Sequence, residues 1–368
     1  MNKIASCARM KDHGEASYVK QAYSPHIDGL RAIAILLVVV YHGFPEFLSG
    51  GLIGVDVFFV ISGYLITNVI LSNIRNGTFS FVGFYKRRIL RIFPGLLLVL
   101  AACAVAGWYR MLPYEYGMTG KHMAAGAGFV SNLIFWGESG YFDIASEKKP
   151  LLHLWSLGVE EQFYIFYPIL LWALWKRRLN PFLAILAVAM VSFGWNIVWH
   201  KSRPVADFYS PQTRVWELMI GGLVAYASLF GQGLPECLSR CLRPLRERAL
   251  PLSARLRLTD GHVADVLSVF ALAMIVYASF RVSKNTLFPG WWGILPTFGA
   301  ALLVSARKDS WVSSRILASK PFVWVGLISY PLYLWHWPLL SFGRVLYGEV
   351  PPRICGRGCA WPPYFSPG

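Results

Sequence analysis

The sequence predicts an all-α fold: a polytopic membrane helical bundle of about ten hydrophobic segments, one of them re-entrant or interfacial. Three observations predict it. Of 368 residues, 55% are hydrophobic and only 15% charged, whereas soluble domains run to about 25% charged. So little charge cannot cover a water-facing surface on a chain of this size. The apolar residues fall in runs long enough to cross a bilayer. The basic excess, 35 Lys+Arg against 19 Asp+Glu for a net charge of +16, lies mostly between those runs, where cytoplasmic loops collect it. An ordinary soluble enzyme, a disordered chain and a disulfide scaffold are excluded. In this setting the basic residues point to membrane lipid headgroups or phosphorylated substrates, and not to nucleic acid.

The elements follow in order. Residues 1–22 are polar, lack an apolar signal core and read as a cytoplasmic tail. The first span covers about Leu30 to Phe47 and the second about Val55 to Ile74. The basic stretch FYKRRILRIFP follows, then a span from about Ile92 to Leu112. The stretch from about Met118 to Trp136 carries Lys121, His122, Asn132 and two close glycines. Orientation by the basic loops demands an even number of crossings between Arg91 and Lys176, so this weakest stretch is read as re-entrant or interfacial. Further spans run from about Leu157 to Trp175, Phe182 to Trp199, Val215 to Phe230, Val263 to Phe280, Trp291 to Ser305 and Phe322 to Leu340. Lys176 to Arg178, the loop bearing Arg240 through Arg257, and Arg307 with Lys308 should be cytoplasmic; Lys148 and Lys149 then lie outside. Cys103 sits in a span as a small apolar filler, and Cys237 with Cys241 is weak evidence for metal, so no metal site is expected. Residues 346–368 have no period and read as an irregular tail, either disordered or the product of a frame shift.

Ionisable residues inside spans are costly and therefore mark functional candidates. Arg31 and His42 are eleven positions apart, which returns them to nearly one helix face about 16 Å apart along the axis. They read either as a functional pair or as a snorkelling cation and an interfacial histidine. Asp56 follows His42 after a short glycine-rich turn. It either holds the imidazole for proton transfer or caps a helix start. Arg87, Arg88 and Arg91 form a cationic helix face beside Phe84 and Tyr85, suited to phosphate and adenine, or simply a stop signal. HLWSLGVEEQFYIFYP places Glu160 and Glu161 at the outer mouth of a span, with Arg214 of RVWELMIGG as the natural ionic partner. His336 reads as a lone structural histidine between interfacial tryptophans. The glycine-rich phosphate loop, the HExxH zinc motif and the GxSxG elbow are all absent from the sequence.

Six segments in order carry a resemblance: IDGLRAIAILLVVVYHG, GGLIGVDVFFVISGYLIT, FYKRRILRIFP, HLWSLGVEEQFYIFYP, RVWELMIGG and ISYPLYLWHWPLL. Over about Tyr23 to Leu340 the sequence resembles the integral-membrane acyltransferase family 3, which includes bacterial O-acetyltransferases of lipopolysaccharide O-antigen, exopolysaccharide and peptidoglycan. The resemblance implies a membrane acyltransferase domain over residues 23–345 in the bacterial inner membrane. It implies His42 as catalytic, with Asp56 and Glu160 at acidic positions tied to activity. It implies Arg31, Arg87, Arg88 and Arg91 on the donor side, acetyl-CoA as acyl donor, and a carbohydrate or lipid-linked glycan as acceptor. On that footing Asp56 would orient His42, and Glu160 would position the acceptor or stabilise charge. The alternative is a transporter or flippase for a lipid-linked glycan or small acid, since intramembrane charges and broken helices suit that class too.

Overall fold

The computed structural model describes residues 23–139, 148–230, 260–283 and 286–347. The N-terminal tail, the loop with Cys237, Cys241 and Arg240 through Arg257, and the irregular tail from residue 348 onward lie outside the described residues. Among those described, the structure is helical and contains no strand. The helices are α1 (Pro25–Gly43), α2 (Gly54–Arg75), α3 (Phe81–Arg110), α4 (Pro113–Ala127), α5 (Ser131–Glu138), α6 (Leu154–Lys176) and α7 (Pro181–Ser202). They continue with α8 (Pro204–Tyr209), α9 (Pro211–Phe230), α10 (Asp260–Arg281), α11 (Ile294–Ser305), α12 (Lys320–Leu327) and α13 (Ser329–Tyr347).

Five helical segments, α1, Gly51–Arg75, α3, α7 and α10, are long and apolar enough to cross a membrane. The central helices α6, α9 and α13 have comparable lengths of 23, 20 and 19 residues but carry the polar residues described below. The exposed side of the bundle is apolar. Leu97, Leu98 and Val105 of α3, Met190, Val191 and Val198 of α7, and Val266 and Phe270 of α10 all face outward. Asp56, Arg214 and Glu217 are fully buried. This inverts the soluble pattern, as expected where lipid is the solvent.

Hydrocarbon gives helices no hydrophobic reason to associate, so close backbone approach has to supply the packing. The contact of α2 with α9 shows how. A Cβ on Gly63 would lie 1.8 Å from the Leu218 carbonyl oxygen, and one on Gly221 would lie 2.0 Å from that of Val60. Only glycine at both positions lets these two helices touch along their backbones.

Two predicted segments differ from expectation. The basic stretch before the third span is not separate from it. Ser80 caps the helix, its hydroxyl accepting from the Gly83 N–H at 3.2 Å, and a single 30-residue helix continues through Arg91 and Pro94 to Arg110. At 1.5 Å per residue that is about 45 Å, longer than the roughly 30 Å hydrocarbon core. The arginines thus ride on an extension of a span. The last predicted span is two helices, α12 and α13, broken at Ile328.

The weak stretch after α3 is broken as expected. Helix α4 has 15 residues and α5 only 8, each short of the roughly 20 that a crossing needs. Between them Phe129 takes a left-handed conformation at φ 55°. Its N–H bonds the Gly126 carbonyl at 3.2 Å, and the Val130 N–H bonds that of Ala125 at 2.9 Å, the paired bonds of a Schellman stop. Gln162 of α6 secures the break by donating to the Phe129 carbonyl at 2.8 Å and to the Asn132 side-chain oxygen at 2.9 Å.

Candidate active site

Helix α1 carries Arg31 near its start and His42 in its last turn, and the two residues border different cavities. The cavity at the end that the basic loops predict to be cytoplasmic, called inner on that expectation, holds about 100 Å³ and is lined by Arg31, Arg88, Arg91, Glu160, Glu161 and Tyr164, among others. The outer cavity holds about 600 Å³ and is lined by His42, His153, Arg214, Arg344, Trp337 and an aromatic wall including Tyr41, Phe208 and Tyr209. Val55 and Tyr333 line both. These two side chains form the partition at which the cavities abut.

Five helices, α1, α2, α3, α6 and α13, build the inner cavity. Arg88 lies over the Tyr164 ring, 4.5 Å from its centroid, so α3 docks on α6 through a cation–π contact. Tyr85 reinforces the docking by donating to the Ile165 carbonyl at 2.8 Å. Glu160 accepts from the Ser62 and Tyr164 hydroxyls. Arg31 pairs with Asp28 at 3.4 Å. Arg88 and Arg91 line the cavity as the spacing predicts, whereas Arg87 is exposed and does not. Its side chain folds back along its own helix towards Gly83.

In the outer cavity, His42 Nδ1 lies 3.0 Å from His336 Nε2. The His42 ring also meets Trp337 edge-on, with centroids 4.5 Å apart. Arg344 donates from Nη2 to the His42 carbonyl at 2.7 Å, satisfying one of the open carbonyls at the end of α1. His153 stands beside the pair, its ring centroid 5.7 Å from that of His336. Tyr333 donates to the His153 carbonyl at 2.7 Å and lies 2.6 Å from the Ser156 hydroxyl. The partition residue is thereby locked to the start of α6.

Several expectations are corrected here. Asp56 does not orient His42. It accepts from Arg214, which also pairs with Glu217 at 3.3 Å, in a cluster with no solvent exposure. Asp56 lies in the first turn of α2 on a face turned towards α9. A buried guanidinium held by two carboxylates joins the two helices, and removing one member would leave the others uncompensated. Arg214 is therefore not the partner of Glu160 or Glu161. Beside the cluster, burial pushes the Asp207 carboxyl up to about 7 against the pull of Arg214. Glu160 is not at the mouth of the span with His153. It lies seven residues below His153, about 10 Å along the helix, and so falls in the inner cavity. His336 is not a lone histidine but the ring partner of His42.

Outside the cavities, Glu138 at the end of α5 meets Lys121 at 2.8 Å, His122 at 2.8 Å and Lys149 at 3.3 Å. Burial works to raise its carboxyl, but these three groups outweigh it and hold it at about 2. The clamp ties α4, α5 and the segment entering α6 together.

The fold and its two polar chambers define a multi-pass helical membrane protein with ionisable groups gathered at both ends of one bundle. A family model described as the acyltransferase domain matches residues 25–354, and the chain belongs to that family. Among its curated relatives is the peptidoglycan O-acetyltransferase OatA of Listeria monocytogenes, 30% identical over 341 residues, which cover 90% of this chain and 52% of the relative. The O-acetyltransferase OatA of Staphylococcus aureus is 30% identical over 347 residues, covering 90% of this chain and 53% of that protein. The chain thus spans about half the length of the curated relatives it matches. No solved structure matches it.

Proposed function

We propose that this chain is an O-acyltransferase of the bacterial cytoplasmic membrane, moving an acetyl or closely related acyl group from acyl-CoA to a hydroxyl of a cell-surface glycan. The observation that carries this reading is the back-to-back pair of cavities, one lined by Arg31, Arg88 and Arg91 together with Glu160 and Glu161, the other by His42 and His153, abutting at Val55 and Tyr333. Family membership and the relatives' names support the reaction class. Among O-antigen, exopolysaccharide and peptidoglycan as candidate acceptors, the name of the Listeria relative supports peptidoglycan.

The donor's phosphates carry several negative charges and are excluded from hydrocarbon, so they need guanidinium groups at the inner face. Arg88 and Arg91 answer that need at the cavity, with Arg87 exposed on the same helix extension. A chamber of about 100 Å³ is below the roughly 300–1,000 Å³ of small-molecule sites. It suits the slender pantetheine arm, with the nucleotide left at the mouth. The arm runs past Arg31 towards the partition and presents the thioester near Tyr333. In the outer cavity the acceptor sugar lies against the aromatic wall with a hydroxyl at His42.

The chemistry balances without a further reactant. His42 takes the hydroxyl proton as the oxygen attacks the thioester carbonyl. The C–O bond forms, the C–S bond breaks, and the departing thiolate recovers the proton from His42. The products are the glycan ester and free CoA thiol. Purified protein supplied with acetyl-CoA and an acceptor glycan should release thiol in step with ester formation, and the His42→Ala variant should not. A transporter would move its substrate unchanged and free no thiol, which would overturn the proposal.

A further inference from the structure

We propose that His336 is a positioning residue that sets the tautomer of His42; this rests on the acyl-transfer reading with His42 as the base. The argument needs only donors and acceptors. His336 Nδ1 lies 2.7 Å from the Tyr333 carbonyl oxygen, one turn earlier on α13. A carbonyl can only accept, so Nδ1 of His336 carries the proton. In a neutral imidazole the other nitrogen, Nε2, then holds a lone pair. That Nε2 faces His42 Nδ1 at 3.0 Å. Two lone pairs at this distance repel, so His42 Nδ1 carries the proton and donates it. Neutral His42 is therefore left with its lone pair on Nε2, the nitrogen that a general base needs free.

The hydrogen bonds run in one direction, from His42 through His336 to a backbone carbonyl whose acceptor role cannot invert. The fixed end matters, because a histidine pair without it could settle with either ring as donor. The surroundings hold the geometry. Trp337 packs edge-on against His42, and Arg344 fixes the carbonyl of His42 itself. Tyr333 belongs to the partition between the cavities. The device that orients the base is therefore built from the same turn of α13 that separates donor from acceptor. Where many sites orient a catalytic imidazole with a carboxylate, this one uses a second imidazole, and the nearby carboxylate Asp56 is committed to Arg214.

The test compares His336→Leu with His336→Gln in the full chain, using initial rates of thiol release and a thermal melt of each variant. A glutamine carbonyl can reach the place of Nε2 and accept from His42, whereas leucine fills the space and accepts nothing. Turnover in His336→Leu is expected to fall about 100-fold or more, with the KM for acetyl-CoA unchanged. His336→Gln should stay within about tenfold of wild type. Wild-type turnover in a folded His336→Leu variant would overturn the proposal, as would a folded His336→Gln variant as inactive as His336→Leu. If His336→Leu does not fold, nitrogen-15 NMR of the wild-type histidines decides: a His42 protonated on Nδ1 supports the assignment and one protonated on Nε2 overturns it. His42→Ala separates the two claims. If His42→Ala keeps its turnover, the base reading itself falls. If His42→Ala is inactive while His336→Leu is active, only the tautomer assignment falls.

Discussion

The inner and outer cavities border the same helix and share a wall, yet they are built on different principles. The inner one, about 100 Å³, is gripped by arginines on an extension of α3 and by carboxyl and phenol groups of α6. Its charged lining is three arginines against two glutamates. The outer one, about 600 Å³, is walled by aromatic rings and carries its polar groups as an ordered cluster around His42. Its lining also includes Arg214 and Arg344. The contrast is in keeping with the proposed anionic acyl-CoA donor and glycan acceptor.

The difference between the two chambers can be broken by mutation, and the largest effect belongs to the outer one. His42→Ala should lower thiol release by about 10²- to 10⁴-fold, while acetyl-CoA binding measured by calorimetry stays at the wild-type level. If binding is lost as well, the division of labour is wrong. Next comes the buried cluster beside the outer cavity. Arg214→Met strands Asp56 and Glu217 without their cation, and the expected loss is about 3–5 kcal/mol of stability. A melt in detergent should show it clearly, and an unchanged melting temperature would contradict a structural role for the cluster.

Smaller effects are expected at the inner chamber. Arg88→Gln and Arg91→Gln should each raise the KM for acetyl-CoA by roughly tenfold, about the worth of one charge-assisted hydrogen bond, with kcat little changed. A kcat defect with unchanged KM would place these arginines in the chemistry instead.

The smallest effect concerns the clamp at Glu138. Its carboxyl is held at about 2, below the ordinary 4.5. A depressed carboxylate stabilises the fold fully above its unfolded value and loses that contribution as pH falls through its folded value. Acid melts should therefore show a stability loss between about pH 5 and pH 2 that is flattened in Glu138→Gln. Identical acid limbs in the two proteins would show that the clamp contributes nothing.

How much of this was legible depended on how far apart in sequence the partners lie. That Arg31 and His42 lie towards opposite ends of one helix was readable, because residue spacing along a helix fixes the rise. Arg88 and Arg91 were readable for the same reason, but Arg87, expected with them, does not line the cavity. The break after α4 showed in its glycines and polar residues. An outer-mouth position for the whole motif holds for His153 and not for Glu160, because seven residues of helical rise carry Glu160 about 10 Å further along α6. The partners of Asp56 and His42 were beyond reach. Arg214 is 158 positions from Asp56, and His336 is 294 positions from His42. Which face of α2 meets α9 is set by the glycine contacts between them, and no periodicity within either helix reveals it. The Tyr333–His336 spacing of one turn was the one available hint that His336 was oriented and not merely placed.

The central claim is that donor and acceptor enter from opposite faces and meet at the partition. Proteoliposomes with the protein in one orientation test it directly. Acetyl-CoA is supplied only on the side facing Arg88 and Arg91, and an impermeant glycan acceptor only on the side facing His42. The account predicts acetylated glycan on the acceptor side and free CoA thiol on the donor side, both lost in His42→Ala. Ester formation only when both substrates share one compartment would contradict it.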